Sequence, residues 1–194
     1  MKIDIVTIFP EQVSGFTAHG VFRIASGVGN TIAVHDLRKW AKDKHKSVDD
    51  RPFGGGPGMV MKVEPFFEAV EELADEATQI ILTSPRGKKL TTPLAQKISK
   101  EKHIILLCGH YEGVDERVRQ HLCDLDISIG EYVLSGGELP ALVIADCVLR
   151  QVPGVLGNPE SLDEESFDGK FMEEYPQFTR PEEFHGWKVP DILL

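Results

Sequence analysis

His103-Ile104-Ile105-Leu106-Leu107-Cys108-Gly109-His110-Tyr111-Glu112-Gly113 is an unbroken apolar run that ends in a glycine-bounded loop. An apolar stretch without polar alternation suits a strand buried on both faces, as in a parallel sheet covered by helices. The flanks agree. Thr92–Glu101 upstream and Val114–Leu122 downstream read as helices, and Gln79–Thr83, with Ile80-Ile81-Leu82, reads as a second continuous apolar strand. Further out, Glu64–Ala77 carries Phe66, Phe67, Val70, Leu73 and Ala74 on one helical face. Leu125–Ile129 reads as a strand and Glu138–Arg150 as a helix. Towards the start, Ile3–Phe9 and Thr31–His35 are β-rich, and Pro10 opens a helix, where its fixed φ costs nothing. Short strands alternating with helices predict an α/β fold, a mostly parallel sheet of about five strands with helices on both faces.

Composition is compatible with that fold. The chain has 194 residues, 41% hydrophobic and 27% charged, enough for one globular core and an appendage. No apolar run approaches the roughly 18–20 residues of a membrane span. Asp4 interrupts the first apolar run and no small-residue cleavage site follows, so the start reads as a strand and not as a signal peptide. Three cysteines (Cys108, Cys123 and Cys147), odd in number and without C-x-x-C spacing, argue against a disulfide framework or zinc site and for a reducing, cytoplasmic setting. The βα rhythm stops after about Gly157. Residues 1–157 are the expected domain, 158–175 a linker or active-site loop, and 176–194 are too short to form a domain.

The net charge of −10 is unevenly spread. Residues 160–183 hold nine acidic and two basic side chains, a local −7, and 184–194 sum to zero, which leaves −3 for residues 1–159. Within that part Arg38, Lys39, Lys42, Lys44, Lys46 and Arg51 crowd one stretch. A local cluster of this kind can contact phosphate on an acidic protein, since screening makes nearby charges count most.

In an open parallel sheet, ligands bind beyond the carboxyl ends of the strands. Three strands here end in unusual loops: Thr83-Ser84-Pro85-Arg86-Gly87, Cys108-Gly109-His110-Tyr111-Glu112-Gly113, and Ser128-Ile129-Gly130-Glu131-Tyr132-Val133-Leu134-Ser135-Gly136-Gly137. Glycine allows close backbone approach, so the three together point to a ligand gripped by main-chain groups. The phosphate-cradling motifs G-x-x-x-x-G-K-[ST] and G-x-G-x-x-G are missing, as are H-E-x-x-H and a G-x-S-x-G elbow. A fourth glycine-rich segment, Arg51-Pro52-Phe53-Gly54-Gly55-Gly56-Pro57-Gly58-Met59, joins an arginine and an aromatic ring to adaptable backbone, components suited to an unstacked base.

These segments resemble one family closely. Val48–Met59, Cys108–Arg117, Ser128–Pro140 and Pro153-Gly154-Val155-Leu156-Gly157 are similar, in register, to the bacterial tRNA (guanine-N1)-methyltransferases that modify the guanine 3′ of the anticodon, tRNA position 37. The resemblance implies a trefoil-knotted (SPOUT) fold, one of the rare exceptions to unknotted chains. It implies S-adenosylmethionine as cofactor, tRNA as partner, a homodimer with active sites built at the subunit interface, and a magnesium ion. Carried over residue by residue, the cofactor contacts are Ser84, Pro85, Gly109, Tyr111, Glu112, Gly113, Ser128, Ile129, Gly130, Glu131, Tyr132, Val133, Leu134, Gly136, Gly137 and Pro140. The RNA contacts are Asp50, Arg51, Gly55, Gly56 and Gly58.

The chemistry needs a base, because neutral guanine carries a proton on N1, and a cation where negative charge gathers at O6. The resemblance assigns these roles to Glu165 and Arg150. At the position of Glu165 the family usually has aspartate, one methylene shorter. Residues 176–194 correspond to the start of a helical carboxyl-terminal tRNA-binding domain, expected here as truncated or absent.

Overall fold

Side chains that alternate along the central strands divide the interior into two cores. The computed structural model describes residues 1–157 and 175–194, which fall into two units, one within Met1–Pro159 and one within Glu160–Leu194. In the first unit β1 (Lys2–Thr7) leads into helices α1 (Pro10–Thr17) and α2 (Gly20–Gly27) and then β2 (Thr31–Asp36). A 3₁₀ turn (Leu37–Trp40) precedes a small hairpin of β3 (Asp49–Asp50) and β4 (Val60–Met61). After α3 (Val63–Leu73) come β5 (Thr78–Lys89), α4 (Thr92–Ile98), β6 (His103–Leu107), α5 (Glu116–His121), β7 (Leu125–Ser128) and α6 (Glu138–Arg150).

The main sheet has five strands in the order β2-β1-β6-β5-β7, all parallel. Ile104 and Leu106 of β6 face one core with Ile3, Ile5, Ile81 and the buried stripe of α6 (Ala141, Ile144, Ala145, Val148). Ile105 and Leu107 face the other, with Val6, Leu37, Met61, Phe66 and Val118. This is the α/β architecture expected from the alternating runs.

The boundaries differ from the sequence expectation where side chains capture the backbone. Helix α3 stops at Leu73, short of Ala77, because the Asp75 carboxylate accepts the Ala77 N–H (3.0 Å) and the Thr78 hydroxyl (2.8 Å), closing a turn instead. Strand β5 continues through the expected loop to Lys89, but with a bulge: Thr83 and Lys88 both register against Ile127. Helix α2 and the β3–β4 hairpin were not anticipated. In the second unit β8 (Glu183–Phe184) and β9 (Trp187–Lys188) pair across His185-Gly186, whose φ values of 54° and 84° match a type I′ turn. Among the described residues no helix is long and apolar enough to cross a membrane.

One buried carboxylate ties the sheet's centre. Asp4, 1% exposed, lies 2.7 Å from His35 Nε2, 2.6 Å from His103 Nε2 and 2.8 Å from Lys2 Nζ, linking β2, β1 and β6. Burial alone pushes its pKa up, but these three partners together hold it down at about 2.

Candidate active site

Because β5 lies between β6 and β7, the loops at their carboxyl ends stand side by side. They enclose a cleft of about 440 Å³, a size that suits a small organic ligand. Thr83–Arg86 form one wall, Gly109–Val114 a second, and the segment from Ser128 to Gly137 a third, with Pro140 of α6 at the floor. All the expected cofactor contacts line this cleft except Glu131. That side chain is 88% exposed and turns to Lys89 Nζ at 2.8 Å. Thr83, Arg86, His110, Val114, Arg119, Ile127 and Ser135 also line it and were not singled out as contacts. Their signal was weak, because they sit beside or between motif positions.

The walls meet at glycines. The Gly137 N–H donates to the Gly109 carbonyl at 2.7 Å, and a Cβ on Gly137 would lie 2.0 Å from Thr83 Oγ1 and 2.8 Å from the Gly109 nitrogen. His110 and Gly136 form an isolated antiparallel bridge just beside this crossing. The second wall is in turn pinned by β4: Glu112 N–H donates to the Met59 carbonyl (3.0 Å), Met61 N–H to that of Gly113 (2.9 Å) and Asp115 N–H to that of Met61 (3.0 Å). Tyr111 (φ 58°) and Gly113 (φ 126°) provide the left-handed turns this path needs.

The same pinning brings the β3–β4 connection to the rim. Asp50 and Arg51 stand at its base, and a Cβ on Gly58 would lie 2.4 Å from the Glu112 side chain. Gly55, Gly56 and Gly58 all take positive φ, and Phe53 is fully exposed. The basic stretch beside it is less free than its composition implies. Lys39 pairs with Glu72 and Lys42 with Glu68, both on α3, while Arg38 bonds the Ile8 carbonyl.

Charges at the cleft are organised in two layers. At the rim, Glu116 is held by Arg119 and then Arg86 (2.8 Å), which lower its pKa to about 2. Arg119 also reaches Asp126 of β7 at 3.3 Å, so α5, β5 and β7 are joined. At the base, Glu138 is 6% exposed and accepts the Thr7 hydroxyl at 2.7 Å. Burial, with the Glu138 charge nearby, pushes the Cys108 thiol well above its ordinary pKa, so it packs as core and is no nucleophile.

Comparison with known proteins agrees with this geometry. The family model described as tRNA (Guanine-1)-methyltransferase TrmD matches residues 1–194. A protein of Dictyoglomus turgidum named tRNA (guanine-N(1)-)-methyltransferase is 53% identical over 195 residues, covering 100% of this chain and 79% of its own length. Proteins of the same name from Moorella thermoacetica and Geobacillus kaustophilus are 51% and 50% identical, again over 100% of this chain and 79% and 80% of theirs.

The chain belongs to the TrmD family.

Of the two residues with catalytic roles in the TrmD resemblance, Arg150 is the last residue of α6 and does not line the cleft. Helix α6 starts at the cleft floor, and at 1.5 Å per residue its two ends are about 18 Å apart. The neighbouring Asp146 has its pKa raised by burial, partly offset by the Arg150 charge. Glu165 lies outside the described residues, as does nearly all of the expected linker. Among the described residues no three His, Cys, Asp or Glu side chains gather as a metal site. These residues alone therefore offer no protein cage for the magnesium ion that the resemblance implies.

Proposed function

We propose that this chain transfers a methyl group from S-adenosylmethionine to N1 of the guanine at tRNA position 37, beside the anticodon, and that it works in the cytoplasm as a homodimer. The cleft carries this reading. It is built from glycine backbone at the carboxyl ends of three adjacent parallel strands, without a phosphate-binding motif, in a chain of the TrmD family.

The donor supplies a methyl group on a positively charged sulfur, and its departure leaves that sulfur neutral. No general acid is therefore needed there. The backbone around Gly109 and Ile129–Leu134 supplies hydrogen bonds, while Pro85, Ile129 and Leu134 supply apolar contact. Crossing of the Ser128–Gly137 segment against the two other walls supports a trefoil knot at this point.

Glu165 accepts the N1 proton, and Arg150 neutralises the charge that develops on O6. About 18 Å of helix separates Arg150 from the cleft floor, which supports Arg150 of a second copy as the cation at the reacting guanine. The surface at the cleft supports such a copy. Tyr132, Val133 and Leu134 are exposed beside it, as are Leu139 and Val143, one turn apart on α6. An apolar patch of this kind marks an interface, and a two-fold pairing would bury it against itself.

The test is single-turnover methylation of tRNA transcripts carrying guanine or adenine 3′ of the anticodon, with the product mapped by nucleoside analysis. Transfer to N1 of the guanine, and none to the adenine transcript, is expected. Equal transfer to both, or none to either, overturns the reading.

A further inference from the structure

At the crossing of the cleft walls, His110 Nδ1 is buried and has no hydrogen-bond partner. Its nearest acidic group is Glu138 Oε2, 3.8 Å away, beyond hydrogen-bond distance. The other carboxylate oxygen is engaged: Thr7 Oγ1 donates to Glu138 Oε1 at 2.7 Å and itself accepts the Phe9 N–H at 2.9 Å. The carboxylate is thus fixed from the β1 side, at the first turn of α6, where the helix dipole favours negative charge. The imidazole is held differently. Its ring packs edge-on against Phe9 and Tyr111 at 5.0 Å each, and its own backbone N–H reaches only the Met61 sulfur at 3.1 Å. One partner is anchored and the other is held by adjustable contacts.

Gly136 lies against both. A Cβ there would be 2.2 Å from Glu138 Oε2 and 2.5 Å from His110 Nδ1. The gap between histidine and glutamate therefore sits directly beneath cleft-lining backbone, and His110 is itself a lining residue. The backbone of this wall is pinned, but a turn of the His110 ring that carries Nδ1 roughly 1 Å closer would bring it into hydrogen-bond range of Glu138.

From this geometry we infer that His110 and Glu138 form a latch that closes when the methyl donor fills the cleft. His110 is a positioning residue: its Nδ1–H, without an acceptor as the ring stands, acquires Glu138 Oε2 as acceptor when the ring turns against the bound donor. The assignment rests on the donor reading given above. It explains why a buried glutamate stands at the cleft floor although it does not line the cleft, and why the adjacent position is a glycine.

The experiment uses the full chain. With histidine ¹⁵N-labelled protein, the Nδ1 signal of His110 is followed during titration with S-adenosylmethionine, and calorimetry gives the affinity of the wild type, His110→Phe and His110→Asn. On saturation the wild-type Nδ1–H should become exchange-protected and shift as it gains an acceptor. His110→Phe should bind roughly 10- to 100-fold more weakly, the loss expected for a hydrogen bond to a charged acceptor. His110→Asn, whose amide nitrogen takes a similar place, should recover part of that loss. Thermal unfolding of the unliganded variants reports whether folding is intact, and the wild-type signal needs no variant at all. Donor binding with an unchanged His110 Nδ1, or equal affinity in a folded His110→Phe, overturns the latch and leaves the donor reading standing. No binding by the wild type overturns both.

Discussion

Gly137 and Gly109 are joined by a 2.7 Å hydrogen bond, yet they differ in what a side chain would meet. At Gly137 a Cβ would collide with Thr83 Oγ1 and with backbone, whereas at Gly109 its nearest neighbour is Val114 Cγ2 at 3.2 Å. Gly137→Val should therefore destabilise the fold by about 3 kcal/mol or more and abolish donor binding, as overpacking against backbone cannot relax. Gly109→Ala should cost about 1 kcal/mol and weaken binding only modestly. Urea unfolding with donor calorimetry separates the two. In its proposed role as base, glutamate at position 165 keeps the carboxylate chemistry of the aspartate usual in the resemblance, with a side chain about 1.5 Å longer. Glu165→Gln should nearly abolish methylation with donor binding intact, Glu165→Asp should retain substantial activity, and Glu164→Gln should matter far less. An active Glu165→Gln beside an inactive Glu164→Gln would move the base by one residue. The Gly137 collision was invisible in the sequence, because it depends on Thr83, distant in the chain. That a glycine was required there was readable from the loop.

The strands of the main sheet were legible because β5 and β6 hold continuous apolar runs and β1, β2 and β7 are short β-rich segments between helices; their order was not. Nothing in Ile104–Leu107 announces that β1 and β5 are its neighbours, since those pairings join residues far apart in the chain. The Asp4 cluster shows the same limit. Asp4 looks like an interruption of an apolar strand, and its meaning comes only from His35 and His103 on the flanking strands. It also makes a prediction at the level of the sheet. The folded pKa of about 2 lies below the ordinary 3.8, so the group contributes stability above pH ~4 and loses it as pH falls towards 2. That shift corresponds to about 2 kcal/mol. Asp4→Asn should therefore be less stable than the wild type at pH 7, with the difference shrinking below pH 4. A difference that stays constant down to pH 2.5 in urea titrations would mean that the carboxylate charge is not what ties the strands.

For the whole molecule, the donor side of the site could be read from three glycine-bearing loops, because one edge of a parallel sheet must gather them. The acceptor side could not. Arg150 looks like an ordinary cation at the end of a helix, and its proposed role rests on the resemblance and on the length of α6. That length also makes the shared site testable by mixing subunits. Glu112→Ala, at the rim of the cleft, and Arg150→Ala, at the far end of α6, should each be nearly inactive alone. If every site takes its cleft from one protomer and its arginine from the other, a mixed dimer has one doubly damaged site and one intact site. Subunit exchange at equal concentrations should then restore about a quarter of wild-type methylation. Activity that stays at the level of the separate variants after verified exchange would contradict a site shared between two copies.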